Sequence, residues 1–253
     1  MIPLEICLEA DTSHLEYNLE QVHRCGVARV ELCANMAEEG LTPSAQAITQ
    51  ARSIFKNGEL LVMIRPRGGH FCYSATECQT MASSIDMAAD LGADGVVLGV
   101  LDHTLALQRR ASARLINRAR KQRLSVTFHR AFDAINNPLE SMRTLVDMGV
   151  SRVLTSGTPW ESRLGAVDGL NLLGKLLAIT NGYAELVVGG GVTAENARTI
   201  ITSLNNNTRC ENHGTHTDFS LHCYSSVLSN GMINKDKLSR IFNSCRSTFE
   251  ENR

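Results

Sequence analysis

The stretch Ile64-Arg65-Pro66-Arg67-Gly68-Gly69-His70-Phe71-Cys72-Tyr73-Ser74 sets two guanidiniums two residues apart and follows them with paired glycines. Residues two apart on an extended chain share a face, so Arg65 and Arg67 are expected to meet one ligand. The glycines let backbone N–H groups approach an anionic oxygen, which suits a carboxylate or a phosphate. The structural alternative is that Arg65 pairs with Glu5 or Glu31 inside the barrel as an ion pair, and the two are compatible, since one arginine can neutralise a glutamate while its neighbour binds ligand.

A second stretch, Val126-Thr127-Phe128-His129-Arg130-Ala131-Phe132-Asp133, brings imidazole, guanidinium and carboxylate together within five positions. An imidazole there is placed to transfer a proton near neutral pH, with Asp133 orienting it or capping the helix that Asn136-Asn137-Pro138 opens. The bland reading is a hydrogen-bonded histidine at a strand end. Glu31, on the same face as Cys33, is the acid or base partner. Two glycine-containing turns, Thr155-Ser156-Gly157 and Gly189-Gly190-Gly191, expose N–H groups to anions or serve as tight turns and nothing more.

Metal chemistry needs softer groups. Cys7, Cys33, Cys72, His129 and His222 can all reach one end of a barrel, and thiolate with imidazole suits monovalent copper or zinc. No close-spaced ligand motif supports this set, and free cysteine is commonly a small buried hydrophobe. No lysine stands at a strand end, which argues against a Schiff base. Nothing calls for an organic cofactor.

These residues need a frame. Short β-prone apolar runs occur at Leu4–Leu8, Arg29–Leu32, Leu60–Ile64, Gly95–Val100, Leu124–Phe128, Arg152–Thr155, Ala184–Val188 and Phe219–Leu221. Their starts are about 25 to 35 residues apart, one strand plus one crossover helix. Each run reads as apolar at its start and polar or charged at its end, which in a barrel is the rim where active sites are built. Segments with helical periodicity, Thr76–Leu91 and Pro138–Met148 among them, separate the runs. Gly26, Gly92 and Gly149 each suit a left-handed helix cap before the next strand. The expected fold is therefore a single-domain α/β (β/α)8 barrel over residues 1–253, with a polar surface insertion at 205–217 and a frayed tail at 247–253.

The chain has 25 Lys plus Arg against 26 Asp plus Glu, a net charge of −1, which argues against nucleic acid as a partner. Apolar runs too short to span a bilayer argue against a membrane. The eight cysteines form no CxxC pair and no compact framework, so reduced thiols and a cytoplasmic location are expected.

Along nearly the whole chain the sequence resembles the CutC family, long labelled copper homeostasis proteins and distinct from the choline-cleaving radical enzyme of the same short name. The resemblance is carried by Arg29-Val30-Glu31-Leu32-Cys33, Glu39-Gly40-Leu41-Thr42-Pro43-Ser44, Ile64 to Ser74, Gly95 to Leu101, Thr127 to Asp133, Arg152 to Gly157 and Gly189 to Asn196. It implies a cytoplasmic barrel, a homodimer and an association with copper. It also marks Glu31, Cys33, Arg65, Arg67, Cys72, Tyr73, His129, Arg130, Asp133, Ser156, Gly157 and His222 as residues in the family's motifs. Glu39, His70, Cys223-Tyr224 and the long 205–217 segment depart from the family's pattern.

Two functions follow. One is copper handling through Cys33, Cys72 and His222. The other is an enzyme on a small anionic or phosphorylated metabolite, held by Arg65, Arg67, Arg130 and the glycine turns, with His129, Asp133 and Glu31 for proton transfer.

Overall fold

The computed structural model describes residues 1–180, 182–208 and 219–246, with only the backbone of 207 and 208. Eight parallel strands close on themselves in sequence order: β1 (Leu4–Glu9), β2 (Arg29–Cys33), β3 (Glu59–Met63), β4 (Gly95–Leu98), β5 (Ser125–Phe128), β6 (Arg152–Thr155), β7 (Glu185–Val188) and β8 (Phe219–Cys223). Helices α1 (Leu15–Arg24), α2 (Ala45–Ile54), α3 (Ala75–Asp90), α4 (Arg109–Lys121), α5 (Pro138–Asp147), α6 (Leu170–Thr180), α7 (Ala197–Thr208) and α8 (Lys235–Arg246) alternate with them. This is the expected (β/α)8 barrel. The tail at 247–253 and the 209–217 part of the insertion lie outside the described residues. Asn205 to Thr208, expected to begin the insertion, form the last turn of α7 instead. Ile200, Ile201 and Leu204 of that helix are fully buried, and packing of such a stripe overrides the weak helix propensity of asparagine.

Alternation along the strands divides the side chains into two sets. Ile6, Leu8, Val30, Leu32, Leu60, Val62, Val96, Leu98, Val126 and Phe128 join the core between sheet and helices. Their neighbours point inward, where Cys7, Cys33, Leu61, Met63 and Val97 make a separate cluster. Gly26, Gly92 and Gly149 take φ of 76°, 83° and 77°. They close α1, α3 and α5 as the sequence predicts.

The strand starts lie within one residue of expectation. β3 begins at Glu59, one residue before its apolar run, β7 at Glu185, one residue inside its run, and β2 and β6 at Arg29 and Arg152, as expected. These charges point inward with Glu5 and cross the barrel as one ionic layer. Arg29 donates through Nε to Glu5 and through Nη2 to Glu185 at 2.6 Å and Ser220 at 2.8 Å. Arg152 donates to Glu59, and to Ser125 at 3.1 Å. Arg29 also lies 3.6 Å from Glu59 and Arg152 3.5 Å from Glu185. Each buried charge is therefore met by opposite charge, the condition for tolerating it.

Candidate functional site

The carboxyl ends of the strands surround a cavity of about 490 Å³, lined among others by Cys7, Glu31, Cys33, Arg65, His129, Arg130, Gly190, Gly191 and His222. β1 and β2 pair with Cys7 opposite Glu31, which brings Cys33 diagonally across from Cys7. Cys7 Sγ lies 3.7 Å from Cys33 Sγ, and the Cys33 thiol donates to Glu31 Oε1 at 3.1 Å. The hydrogen bond with Cys7, burial and the charge of Glu31 hold the Cys33 thiol well above its usual pKa. Burial likewise raises the Glu31 carboxyl, whose Oε2 has no hydrogen-bond partner.

Candidate ligand atoms of Cys7, Glu31 and Cys33 lie within 4.8 Å of one another, as do those of Glu5, Glu31 and His222. His222 Nδ1 is 2.6 Å from Glu5 Oε1. Burial disfavours the imidazolium, but hydrogen bonds with Cys7 and Glu5 and the carboxylates of Glu31 and Glu5 raise its pKa well above the ordinary value. Burial would raise Glu5 as well. Arg29 and His222 outweigh it and lower the Glu5 carboxyl to about 2.

Cys72, expected beside Cys33, does not line this cavity. It follows the β3 loop to the start of α3, where its carbonyl accepts from Arg67 and its thiol neighbours Cys78. Cys7 takes the place expected for it. The two arginines part as well. Arg65 lines the cavity at 2% exposure, while Arg67 turns outward to Glu77 and the carbonyls of Gly68, His70 and Cys72, with its guanidinium over the Tyr73 ring. Extended alternation ends where β3 ends, at Met63, and the capping box between Ser74 and Glu77 fixes the carboxylate that draws Arg67 away. Arg65 does not pair with Glu5 or Glu31. Its Nη1 donates to Glu38 O at 2.6 Å and Gly40 O at 3.3 Å and its Nη2 to Gly69 O at 2.9 Å, while Nε has no partner.

His129 sits at the end of β5, 4% exposed, and its Nδ1 accepts the Ala131 N–H at 3.1 Å. Nε2 therefore carries the proton, and it too has no partner. Burial, then the nearby Arg65 charge, lowers the imidazole pKa to about 3, so it stays neutral near pH 7 and does not switch charge there. A Cβ on Gly99 would fall 2.6 Å from His129 Cε1, so that glycine makes the space for the ring.

Asp133 does not orient His129. It accepts from Arg130 Nε at 2.9 Å, from Ser156 Oγ at 2.8 Å and from the Thr155 hydroxyl, tying the β5 and β6 loops together. Gly157 and Asp133 line a neighbouring cavity of about 680 Å³ that shares Glu39, Phe71 and Trp160 with the first. Although larger, it borders Asp133 and Thr155 groups already engaged with each other. Gly190 and Gly191 line the smaller cavity, with Gly189 packed beside Leu154 and His222.

Sequence reasoning counted Cys7 among possible ligands but left it out of the copper set of Cys33, Cys72 and His222, gave Glu5 only as a partner for Arg65, and missed Gly99 and Trp160. The inward alternation of β1 was the available signal for Glu5 and Cys7; no local signal marks Trp160, which reaches the mouth from the β6 loop. No helix among the described residues is long and apolar enough to cross a membrane.

Comparison with known proteins bears on the family and the fold. A family protein CutC of Aliivibrio fischeri (strain MJ11) is 37% identical over 203 residues, 79% of this chain and 77% of that one. A copper homeostasis protein cutC homolog of Mus musculus is 36% identical over 201 residues, 78% of this chain and 68% of that one. The crystal structure of a copper homeostasis protein CutC from Streptococcus agalactiae superposes with a TM-score of 0.73 at 31% identity, covering 88% of this chain and 98% of that one. A 3-keto-L-gulonate-6-phosphate decarboxylase from Vibrio cholerae, at 16% identity and a TM-score of 0.60, shares the fold. With the CutC family model matching residues 2–216, the chain belongs to the CutC family.

Proposed function

We propose that this protein binds monovalent copper in the barrel mouth and serves copper homeostasis in the cytoplasm, with Cys7 and Cys33 as the anchoring ligands. The observation that carries the reading is the buried thiol pair. Two sulfurs each about 2.3 Å from one tetrahedral metal are about 3.8 Å apart, and Cys7 and Cys33 are 3.7 Å apart before any metal binds. Met63 belongs to the same interior cluster and Met36 packs against it. A corner of thiols and thioethers favours copper(I) over harder ions. Glu31 and His222 are the remaining candidates for the ligand shell. Bound thiols must lose their protons, so loading releases protons and tightens as pH rises.

Every cysteine among the described residues is free, which suits a reducing compartment. The mouse and human relatives carry the name copper homeostasis protein cutC homolog, and the homodimer rests on the family resemblance. Anaerobic titration of reduced protein with copper(I) against a coloured chelator tests the site. Cys7→Ser and Cys33→Ser should each abolish chelator-resistant binding and Cys72→Ser should leave it intact; undiminished affinity in the Cys7→Ser, Cys33→Ser double variant would sink the reading.

A further inference from the structure

Copper does not account for the other half of the cavity wall. Among the described residues the buried arginines are Arg29, Arg65 and Arg152. Arg29 and Arg152 each contact at least two carboxylates. Arg65 has one, Glu39, at 3.8 Å, and that side chain is 56% exposed. Its terminal nitrogens are used on backbone carbonyls, which leaves Nε without a hydrogen-bond partner and only the Tyr73 side chain and the exposed Glu39 carboxylate near the charge. His129 Nε2 is a second buried donor without an acceptor. Both residues line the same cavity and both pack on Phe71, Arg65 Cζ at 5.1 Å and the imidazole at 5.2 Å from the ring centre. Buried donors in native proteins are nearly always satisfied, so two on residues that line one cavity mark the place of an acceptor that the chain does not supply.

We propose that the barrel mouth binds a small organic carboxylate whose oxygens accept from Arg65 Nε and His129 Nε2, its carbon body lying against Phe71, Trp160 and Leu154. The charge selects the class. Arg65 supplies one positive charge and His129 none, since burial and Arg65 hold the imidazole neutral. A monoanion balances that. A phosphate monoester carries about −1.5 to −2 at pH 7, and the excess would face Glu31 and Glu39 across the same cavity. The aromatic and aliphatic wall suits a carbon skeleton. The site is independent of the copper reading, because neither donor belongs to the sulfur corner.

Histidine-labelled, copper-free, reduced protein provides a direct readout through the His129 Nε2 resonance. Pyruvate, lactate, benzoate and inorganic phosphate are the probes. At least one carboxylate should shift that resonance saturably, and phosphate should not. His129→Asn keeps an acceptor for the Ala131 N–H but withdraws the reaching donor; by calorimetry it should bind the same carboxylate about 10- to 100-fold more weakly at unchanged melting temperature. Arg65→Lys, which keeps the charge and loses Nε–H, should also weaken binding, and Cys7→Ser should not. No shift with any carboxylate, a response to phosphate alone, or full affinity in His129→Asn overturns the proposal.

Discussion

Arg29 and Arg65 are buried almost equally, at 4% and 2% exposure, yet their surroundings differ at every polar atom. In the layer at the strand starts, the guanidiniums of Arg29 and Arg152 face the carboxylates of Glu5, Glu59 and Glu185, and His222 meets Glu5 from the mouth side. In the mouth, Glu31 Oε2, Arg65 Nε and His129 Nε2 have no partner, and Thr127 Oγ1, on the same face of β5 as His129, has none either; in the layer Arg152 Nε also lacks a hydrogen bond, but it lies 3.5 Å from the Glu185 carboxylate. Satisfied buried charge is a structural device, whereas unsatisfied buried polarity is held at a cost that ligand binding can relieve. Burial alone does not separate the two regions. The count of partners does.

The largest effect should come from the satisfied layer. Arg29→Met takes one cationic partner from each of three carboxylates inside the barrel, most of all from the fully buried Glu5, and should lower unfolding free energy by about 3–5 kcal/mol in urea titrations; a loss below about 1 kcal/mol would erase the contrast. Acid comes next. The Glu5 carboxyl is lowered to about 2 from an ordinary 4.5, so its stabilisation is complete above the unfolded value and is lost as pH falls from about 4.5 through about 2. The melting temperature should drop across that window in the wild type, and Glu5→Gln, less stable at neutral pH, should show a flatter profile there.

At the mouth the same kind of change should cost less. Arg65→Met loses three bonds to loop carbonyls but also removes a buried charge whose carboxylate partner, Glu39, is exposed, for a net loss of about 1–2 kcal/mol by the same titration. Smallest is Thr127→Val, which exchanges an orphaned buried hydroxyl for a methyl and should cost nothing or add up to about 1 kcal/mol. A loss comparable to that of Arg29→Met would show that the mouth, too, is built for stability.

The barrel was legible because strand spacing and alternation are local regularities, and the apolar runs placed all eight strands to within two residues at each end. The ionic layer was not, because a search for apolar runs stops short of Glu59 and meets Glu5, Arg29, Arg152 and Glu185 singly within their runs, whereas the layer is made by pairing across strands. At the site, alternation turned Glu31 and Cys33 inward, and its extension one step past β3 and β5 reached Arg65 and His129. Two steps past Met63 it failed, for Arg67, because the chain is no longer extended there. Cys7 pairs with Cys33 across 26 positions through the register of β1 and β2, which no short-range spacing reveals. Asp133 is close to His129 in sequence, but the 3-10 turn at Arg130–Ala134 carries it to the β6 loop.

The ionic layer also decides traffic. Within the described barrel it makes the cavity a blind well, so whatever enters at the strand ends must leave the same way. Copper and an organic acid would share one doorway. A partner collecting copper would have to approach that rim.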